Sequence, residues 1–405
     1  MKELIHPPHP NSTDDRLDPP LGLLYVASLY GDDVRINDLS GMRDIDQMKR
    51  SIGYADEYGF TVYISTIGIV RELIDRCFEV NPNCTVTIGG AYPTEMGALH
   101  LDNASQYHRG PAERSWQKLA QPNPLPWHLV DIDSYSRTID GHKSLPLLTT
   151  RGCPYHCAFC GLREMHKAIG GVVYIDMRCV AREIEAIAER GIGAVNVQDD
   201  IFTLRKDRLR KICEIMKANG LVFRCMGRAG HDDEETYDIL ANAGCKGVAW
   251  GIESGSQYIL DRMNKKVTVE QNYQVIQWCK ERGMDSRAFF VMGFPGETRA
   301  TMADTIDFIY KADPDQYFLS NFIPYPGTPV FQKPWEWGIT EMSYDFDDYY
   351  QVDANGHGGA CISTVWMGKE EMQRTIRNVR ESLARFKPLR GRNLQQYEVD
   401  NGSKN

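Results

Sequence analysis

Three cysteines in one short stretch, Cys153, Cys157 and Cys160 of Thr-Thr-Arg-Gly-Cys-Pro-Tyr-His-Cys-Ala-Phe-Cys (149–160), constrain this chain more than any other feature. Their spacing, C-x-x-x-C-x-x-C, offers three thiolates from a single loop. A four-iron cubane takes four cysteine ligands, so such a loop leaves one iron open to another molecule. Two plainer readings compete: Cys157-x-x-Cys160 as half of a zinc knuckle or as a redox pair. His156 would then complete a Cys3His set. No second C-x-x-C and no H-x-x-x-H exists elsewhere in the chain, and adjacent ligands such as His156 and Cys157 close a tetrahedron awkwardly. The cluster is the better reading.

The remaining eight cysteines, at 77, 84, 179, 213, 225, 245, 279 and 361, stand singly and mostly within apolar segments. They read as small buried hydrophobes in a reducing compartment. A formal charge of −9 over 405 residues, with Lys and Arg dispersed, argues against a nucleic-acid surface. The N-terminus has no apolar signal-like region and no run of eighteen apolar residues follows, so no membrane partner and a cytoplasmic location are expected.

The length predicts two or three domains. Residues 3–6 form a short apolar piece, after which prolines break regular structure up to Pro20. A helix is then expected over 21–30, a strand over 34–38, a helix over 45–52, a strand over 61–66, a helix over 69–80 and a strand over 85–88. Alternation of this kind predicts an α/β, doubly wound, Rossmann-like domain over 1–124. Ligands of such sheets lie beyond the carboxyl ends of the strands, where Asp38-Leu-Ser-Gly41, Ser65-Thr-Ile-Gly68 and Gly89-Gly-Ala-Tyr-Pro-Thr94 occur; these are turns or places of close approach. Pro122, Pro124 and Pro126 mark a linker, 125–144. From 145 to 330 six strand-helix units, with strands near 145–149, 194–198, 222–226, 246–251, 287–292 and 317–322, predict a partial TIM-type barrel with chemistry at the C-terminal strand ends. A C-terminal extension, 331–405, follows: aromatic and acidic to 365, then a basic amphipathic helix over 369–386 and a loose tail.

Several barrel strands end in residues able to hold a polar ligand. Asp199 and Asp200 follow the second, Arg228 the third, Glu253-Ser254-Gly255 the fourth and Met-Gly-Phe-Pro-Gly-Glu-Thr (292–298) the fifth; Phe-Ile-Pro-Tyr-Pro-Gly-Thr-Pro (322–329) comes after the sixth. Each also has a structural reading: solvated carboxylates, a rim arginine, a buried Glu-Ser pair capping a helix, and rigid turns.

The cysteine loop, G-I-E-S-G (251–255), M-G-F-P-G-E-T and the Pro-Tyr-Pro turn together resemble the radical S-adenosylmethionine superfamily. Pro-Pro-Leu-Gly-Leu-Leu-Tyr (19–25), Ile-Ser-Thr (64–66), Ile-Gly-Gly-Ala-Tyr-Pro-Thr (88–94) and Pro-Leu-Pro-Trp-His-Leu (124–129) resemble its branch with an N-terminal cobalamin-binding domain. The resemblance implies a [4Fe-4S] cluster on Cys153, Cys157 and Cys160, and S-adenosylmethionine held by Phe159, Asp199, Asp200, Arg228, Glu253, Ser254, Met292, Gly293 and Phe294. Asp199 or Asp200 would take the methionine ammonium and Arg228 its carboxylate. It further implies cobalamin beside Ser65, Thr66, Gly89, Gly90, Pro93 and Thr94, with Tyr325 beside substrate. Two departures stand out: there is no D-x-H-x-x-G, which supplies an axial histidine in other cobalamin proteins, and Pro111 replaces the first acid of the usual G-E-x-E turn.

The expected function is generation of a 5'-deoxyadenosyl radical that removes hydrogen from an unactivated carbon of a small molecule, with an electron donor such as flavodoxin or ferredoxin. Cobalamin-dependent C-methylation, and cobalamin-independent dehydration, epimerisation or rearrangement, are the competing outcomes. A non-catalytic iron-sulfur or zinc sensor is the remaining alternative.

Overall fold

The structure is a computed structural model describing residues 1–9, 16–96, 101–110, 124–349 and 359–386. The Pro111 turn, Pro122 and the tail from 387 lie outside these residues. The described chain falls into two compact units. One comprises Met1–Thr138, Lys143–Cys153 and Leu162–Ile192; the other comprises Ile139–His142, Pro154–Gly161 and the residues from Gly193 onward.

The first unit carries five strands: β1 Lys2–His6, β2 Val34–Asp38, β3 Glu57–Thr61, β4 Thr85–Gly89 and β5 Gln106–Tyr107. All pair in parallel in the order β2-β1-β3-β4-β5. Leu4, Leu23, Ala27 and Val34 pack one of its apolar clusters, each buried aliphatic side chain contributing about 1.5–3 kcal/mol. The expected strand over 61–66 is not formed. β3 ends at Thr61 and Ile64–Thr66 is a 3-10 turn, because the Thr66 hydroxyl accepts from the Tyr63 amide at 3.0 Å and bends the β-branched run away from the sheet. Polar Glu57–Tyr58-Gly59 forms the strand instead, and Gly59 is fitted to it: a Cβ there would lie 2.8 Å from Leu4.

The expected linker is ordered in its described part. Trp127 is buried, and its indole donates to Glu183 Oε1 at 2.6 Å while the Leu125 amide donates to Oε2 at 2.8 Å. Tyr135 donates to Asp38 Oδ2 at 2.5 Å. Beyond it come the short strand β6 Thr138–Ile139, then β7 His142–Leu147, and the antiparallel pair β8 Thr150–Arg151 and β9 Val173–Tyr174.

The later strands are β10 Ala194–Val197, β11 Val222–Met226, β12 Cys245–Glu253, β13 Asp285–Met292 and β14 Gln316–Asn321. The second sheet runs β14-β13-β12-β11-β10-β7-β6. β10 to β14 pair in parallel with helices between them, which with β7 makes the partial barrel expected from the sequence. Capping starts these helices cleanly: Asp233 accepts from the Thr236 amide, and Thr268 with Gln271 and Thr298 with Thr301 form reciprocal boxes. The extension adds an antiparallel pair, β15 Ile339–Met342 with β16 Ile362–Thr364, and the helix Lys369–Phe386. All eight single cysteines are buried.

Candidate active site

Loop 154–161 is fastened from outside as well as by a turn of its own. The Ala158 amide donates to Met263 O at 2.8 Å, Asn264 Nδ2 donates to His156 O at 2.8 Å, and the Cys160 amide reaches Cys157 O at 3.3 Å. Cys157 is buried, and Arg228 Nη1 stands 4.0 Å from its sulfur. Cys153 and Cys160 are half-buried. Cys153 follows the β8–β9 ladder through Gly152, whose φ of +100° and 2.3 Å Cβ approach to Gly171 O admit only glycine. Among the described residues no three His, Cys, Asp or Glu side chains are grouped for a single metal ion; a cubane asks for one cysteine on each of several irons instead.

Arg228 is buried and bridges several segments. Besides Cys157, its guanidinium donates through Nη2 to Lys265 O and stacks on the Tyr155 ring, 3.6 Å from the centroid. Its amide donates to Asp232 Oδ2 at 3.1 Å, which also accepts from Tyr237 at 3.1 Å, and Tyr237 in turn accepts from Trp250 Nε1 at 3.0 Å. Burial raises the Asp232 carboxyl to about 6. His231 joins the same corner, Nδ1 3.3 Å from the Tyr155 hydroxyl and Nε2 3.0 Å from Leu204 O.

Glu253 ends β12 with φ +67°, an uncommon conformation for a residue with a side chain, at a register shift against β13. Its carboxylate meets Lys265 Nζ at 2.8 Å, both side chains under one-tenth exposed. Gly251 makes room for this: a Cβ there would lie 2.1 Å from Glu253 Oε1 and 3.0 Å from Lys265 Nζ. The Lys265 ammonium also lies 6.0 Å from the Phe159 ring. Ser254 faces away from this pair, its hydroxyl 3.2 Å from Thr305 Oγ1 and accepting from the Ser256 amide at 3.1 Å.

The fifth-strand turn is built on two left-handed glycines, Gly293 at φ +85° and Gly296 at φ +104°. Met292 and Phe294 are fully buried. The Phe294 ring meets Phe159 edge-on at 6.4 Å and Phe322 at 5.1 Å, which ties the turn to the cysteine loop. Glu297 accepts from the Gly293 amide through Oε2, while Oε1 has no hydrogen-bond partner among the described residues. Burial holds its carboxyl up at about 8. Tyr325 lies on the loop's end, where a Cβ on Gly161 would come within 3.0 Å of its ring.

Of the residues singled out in the sequence, Cys157, Phe159, Arg228, Glu253, Phe294 and Tyr325 are gathered about this loop. Asp199 is fully buried and Asp200 half-buried, both just beyond β10. Lys265, Tyr155, His231 and Asp232 were not foreseen; nothing in their local spacing marks them.

In the first unit, two of the hydroxyls proposed for cobalamin are spent on the backbone. Thr66 donates to Tyr63 O at 3.0 Å, and Thr94 donates to Gly90 O at 2.8 Å while accepting from the Gly110 amide at 3.0 Å. Gly90, at φ +101°, would bring a Cβ to 3.1 Å from Val62 O, and Pro93 is buried in the helix Ala91–Met96. Ser65 Oγ instead meets His9 Nε2 at 3.2 Å.

Comparison with known proteins adds the following. Residues 147–309 match the Radical SAM superfamily. An uncharacterized methyltransferase of Pyrococcus horikoshii is 27% identical over 390 residues, covering 83% of this chain and 82% of that protein. The anaerobic magnesium-protoporphyrin IX monomethyl ester cyclase of Rubrivivax gelatinosus is 27% identical over 386 residues, 82% of this chain and 68% of that one. Among solved structures, the radical S-adenosylmethionine methyltransferase TsrM of Kitasatospora setae, with cobalamin and a [4Fe-4S] cluster bound, has a TM-score of 0.63 at 20% identity. It covers 82% of this chain and 77% of its own.

Proposed function

Because residues 147–309 match the Radical SAM superfamily, we propose that this chain is a radical S-adenosylmethionine enzyme that methylates carbon in a small molecule with the help of cobalamin. Cys153, Cys157 and Cys160 would hold the [4Fe-4S] cluster. The fastened loop and the Arg228 cation beside Cys157 carry this reading. When bound, the cluster and S-adenosylmethionine supply a 5'-deoxyadenosyl radical, given one electron from a donor such as flavodoxin or ferredoxin.

The chain's own residues divide the work of binding. Glu253 and Lys265 satisfy each other as a buried ion pair, and a zwitterionic methionine end can replace that pairing with its ammonium on Glu253 and its carboxylate on Lys265. Lys265 would thus take the part first expected of Arg228, whose guanidinium is engaged by Cys157 and by the Lys265 carbonyl. Asp199 or Asp200 would add a second partner for the ammonium, Met292 to Phe294 would line the adenine through the glycine turn, and Phe159 would pack between. Ser254 keeps only a structural part. Tyr325 would border the substrate.

The corrin would lie at the carboxyl ends of β1, β3 and β4. Gly68, in the first turn of the helix that follows β3, suits close approach, since a Cβ on it meets nothing within 4 Å. Similarity to a methyltransferase and the likeness to TsrM support methylation; similarity to the cyclase favours, as the second reading, radical ring closure on the same machinery. The test is anaerobic reconstitution, iron analysis and mass detection of 5'-deoxyadenosine after reduction. A protein that binds zinc instead, with no visible charge-transfer absorption, overturns the reading. No helix among the described residues is long and apolar enough to cross a membrane.

A further inference from the structure

We infer that a cleft built by the segments leaving β12 and β14 holds the anionic end of the substrate, a small molecule with a carboxylate or phosphate on a flat unsaturated body. Calling that ligand the substrate rests on the function proposed above. The cleft has a volume of about 520 Å³ and is lined by Arg262, Pro329, Gln332, Lys333, Glu336 and Trp337, a size usual for small-molecule sites. Its walls come from the helix Gln257–Arg262, which follows β12, and from Pro329–Gln332 and Pro334–Trp337, which follow β14. Barrels of this kind build their ligand sites from the segments that follow their strands.

Arg262 is held ready for an anion. Its Nε donates to Pro295 O at 2.9 Å and its Nη2 to Trp337 O at 3.3 Å, whereas Nη1 has no hydrogen-bond partner among the described residues. Gly296 permits that fit, because a Cβ there would stand 2.4 Å from Arg262 Nε. A guanidinium fixed before the ligand arrives lowers the ordering cost of binding. Beside it Lys333 Nζ meets Glu336 Oε1 at 2.8 Å, both side chains more than half exposed, so an entering oxyanion can displace that pair at little cost. Two cations against one carboxylate leave the cleft positive in a chain of formal charge −9. Aromatic rings supply the rest. Trp337 meets Phe294, of the turn proposed for adenine, edge-on at 5.8 Å, and the Trp366 ring centre lies 4.9 Å from the Arg262 guanidinium. A flat ligand can stack on such a wall. The plain alternative, a solvated groove with an ordinary surface ion pair, predicts that Lys333 and Glu336 influence no ligand.

The test is calorimetric titration of full-length, anaerobically reconstituted protein with naphthoate, naphthyl phosphate and the uncharged naphthylmethanol. At least one of the two anions is expected to bind one-to-one and about tenfold or more tighter than the alcohol; whichever anion binds better identifies the substrate's charged group. Lys333→Gln should weaken that anion about threefold and Glu336→Gln should tighten it about threefold, opposite signs that a merely structural pair would not give. Arg262→Gln should weaken it about tenfold or more. Should that variant fail to fold, the two exposed positions still decide. Anions that bind no tighter than the alcohol, or Lys333→Gln and Glu336→Gln changes that are absent or of one sign, overturn the inference. Binding needs no radical chemistry, so loss of this site leaves the radical reading intact. Failure to form 5'-deoxyadenosine with the anion site intact overturns only the naming of its ligand as substrate.

Discussion

Arg228 and Lys265 separate two tasks that one cation might have shared. Arg228 bridges the cysteine loop, through Cys157 and the Tyr155 ring, to the Lys265 carbonyl, geometry that an ammonium cannot reproduce, whereas the Lys265 side chain presents a compact charge to Glu253. Arg228→Lys is therefore expected to lower the iron retained after reconstitution several-fold. Lys265→Met is expected to keep the iron and weaken S-adenosylmethionine binding by about tenfold or more, in line with the loss of a charged hydrogen bond of about 1.5–3 kcal/mol. Iron assay and cofactor titration of the cluster spectrum distinguish them; equal loss of iron in both variants would reject the division. Glu297 provides a second residue-scale prediction. Burial moves its carboxyl from 4.5 to about 8, so between those values the unfolded chain is ionised while the folded one keeps its proton, and stability falls as pH rises. Glu297→Gln retains an acceptor for the Gly293 amide but cannot ionise. Its loss of Tm between pH values of about 5 and 8 should be smaller than wild type's, by an amount reflecting a few kcal/mol. The cysteines and the G-I-E-S-G and M-G-F-P-G-E-T residues were legible because their chemistry is bound to local spacing. Lys265, His231 and Asp232 were not, because their roles arise from contacts between segments.

At the scale of elements, the strand-helix alternation from Ala194 to Asn321 was readable since each buried strand is a short apolar run and each helix carries its cap. The misplaced strand at 61–66 shows the limit: Val62 and Ile64 have strand character, yet one threonine side chain capping Tyr63 turns the chain. Gly90 belongs to that same corner. Its φ and its closeness to Val62 O mean that Gly90→Val should destabilise the first unit by about 1–3 kcal/mol whether or not a corrin binds. Gly68→Val, at an open position, should instead preserve stability and hinder the corrin, so denaturation and cobalamin retention ought to respond oppositely in the two variants. The connector is held by a different device. Glu183 is buried and its carboxyl raised by desolvation, with the Leu125 amide and the Trp127 indole opposing that rise. Trp127→Phe removes one donor while keeping an aromatic ring, and a stability loss of about 1–3 kcal/mol in urea is expected from the orphaned acceptor. A neutral result would mean that the connector is held by packing alone.

For the molecule as a whole, the question is whether the N-terminal sheet serves the chemistry or merely supports it. Methylation of carbon makes two distinct demands on S-adenosylmethionine, one molecule as radical source and another as methyl donor, and only the second passes through cobalamin. Radical ring closure, the chemistry suggested by the second relative, makes only the first demand. The two readings can therefore be separated without knowing the substrate. Reduced protein loaded with cluster and cobalamin, mixed once with S-adenosylmethionine, is expected to release S-adenosylhomocysteine in proportion to the cobalamin retained, alongside 5'-deoxyadenosine from slow cleavage at the cluster. Protein loaded with cluster alone should give 5'-deoxyadenosine and no S-adenosylhomocysteine. Lys265→Met should depress 5'-deoxyadenosine, since its pair with Glu253 stands beside Phe159 of the cysteine loop, while Gly68→Val should depress S-adenosylhomocysteine, since it lies in the first turn of the helix that follows β3. If retained cobalamin yields no S-adenosylhomocysteine while 5'-deoxyadenosine still forms, methylation is rejected and the sheet becomes a scaffold for a radical transformation that needs no methyl donor.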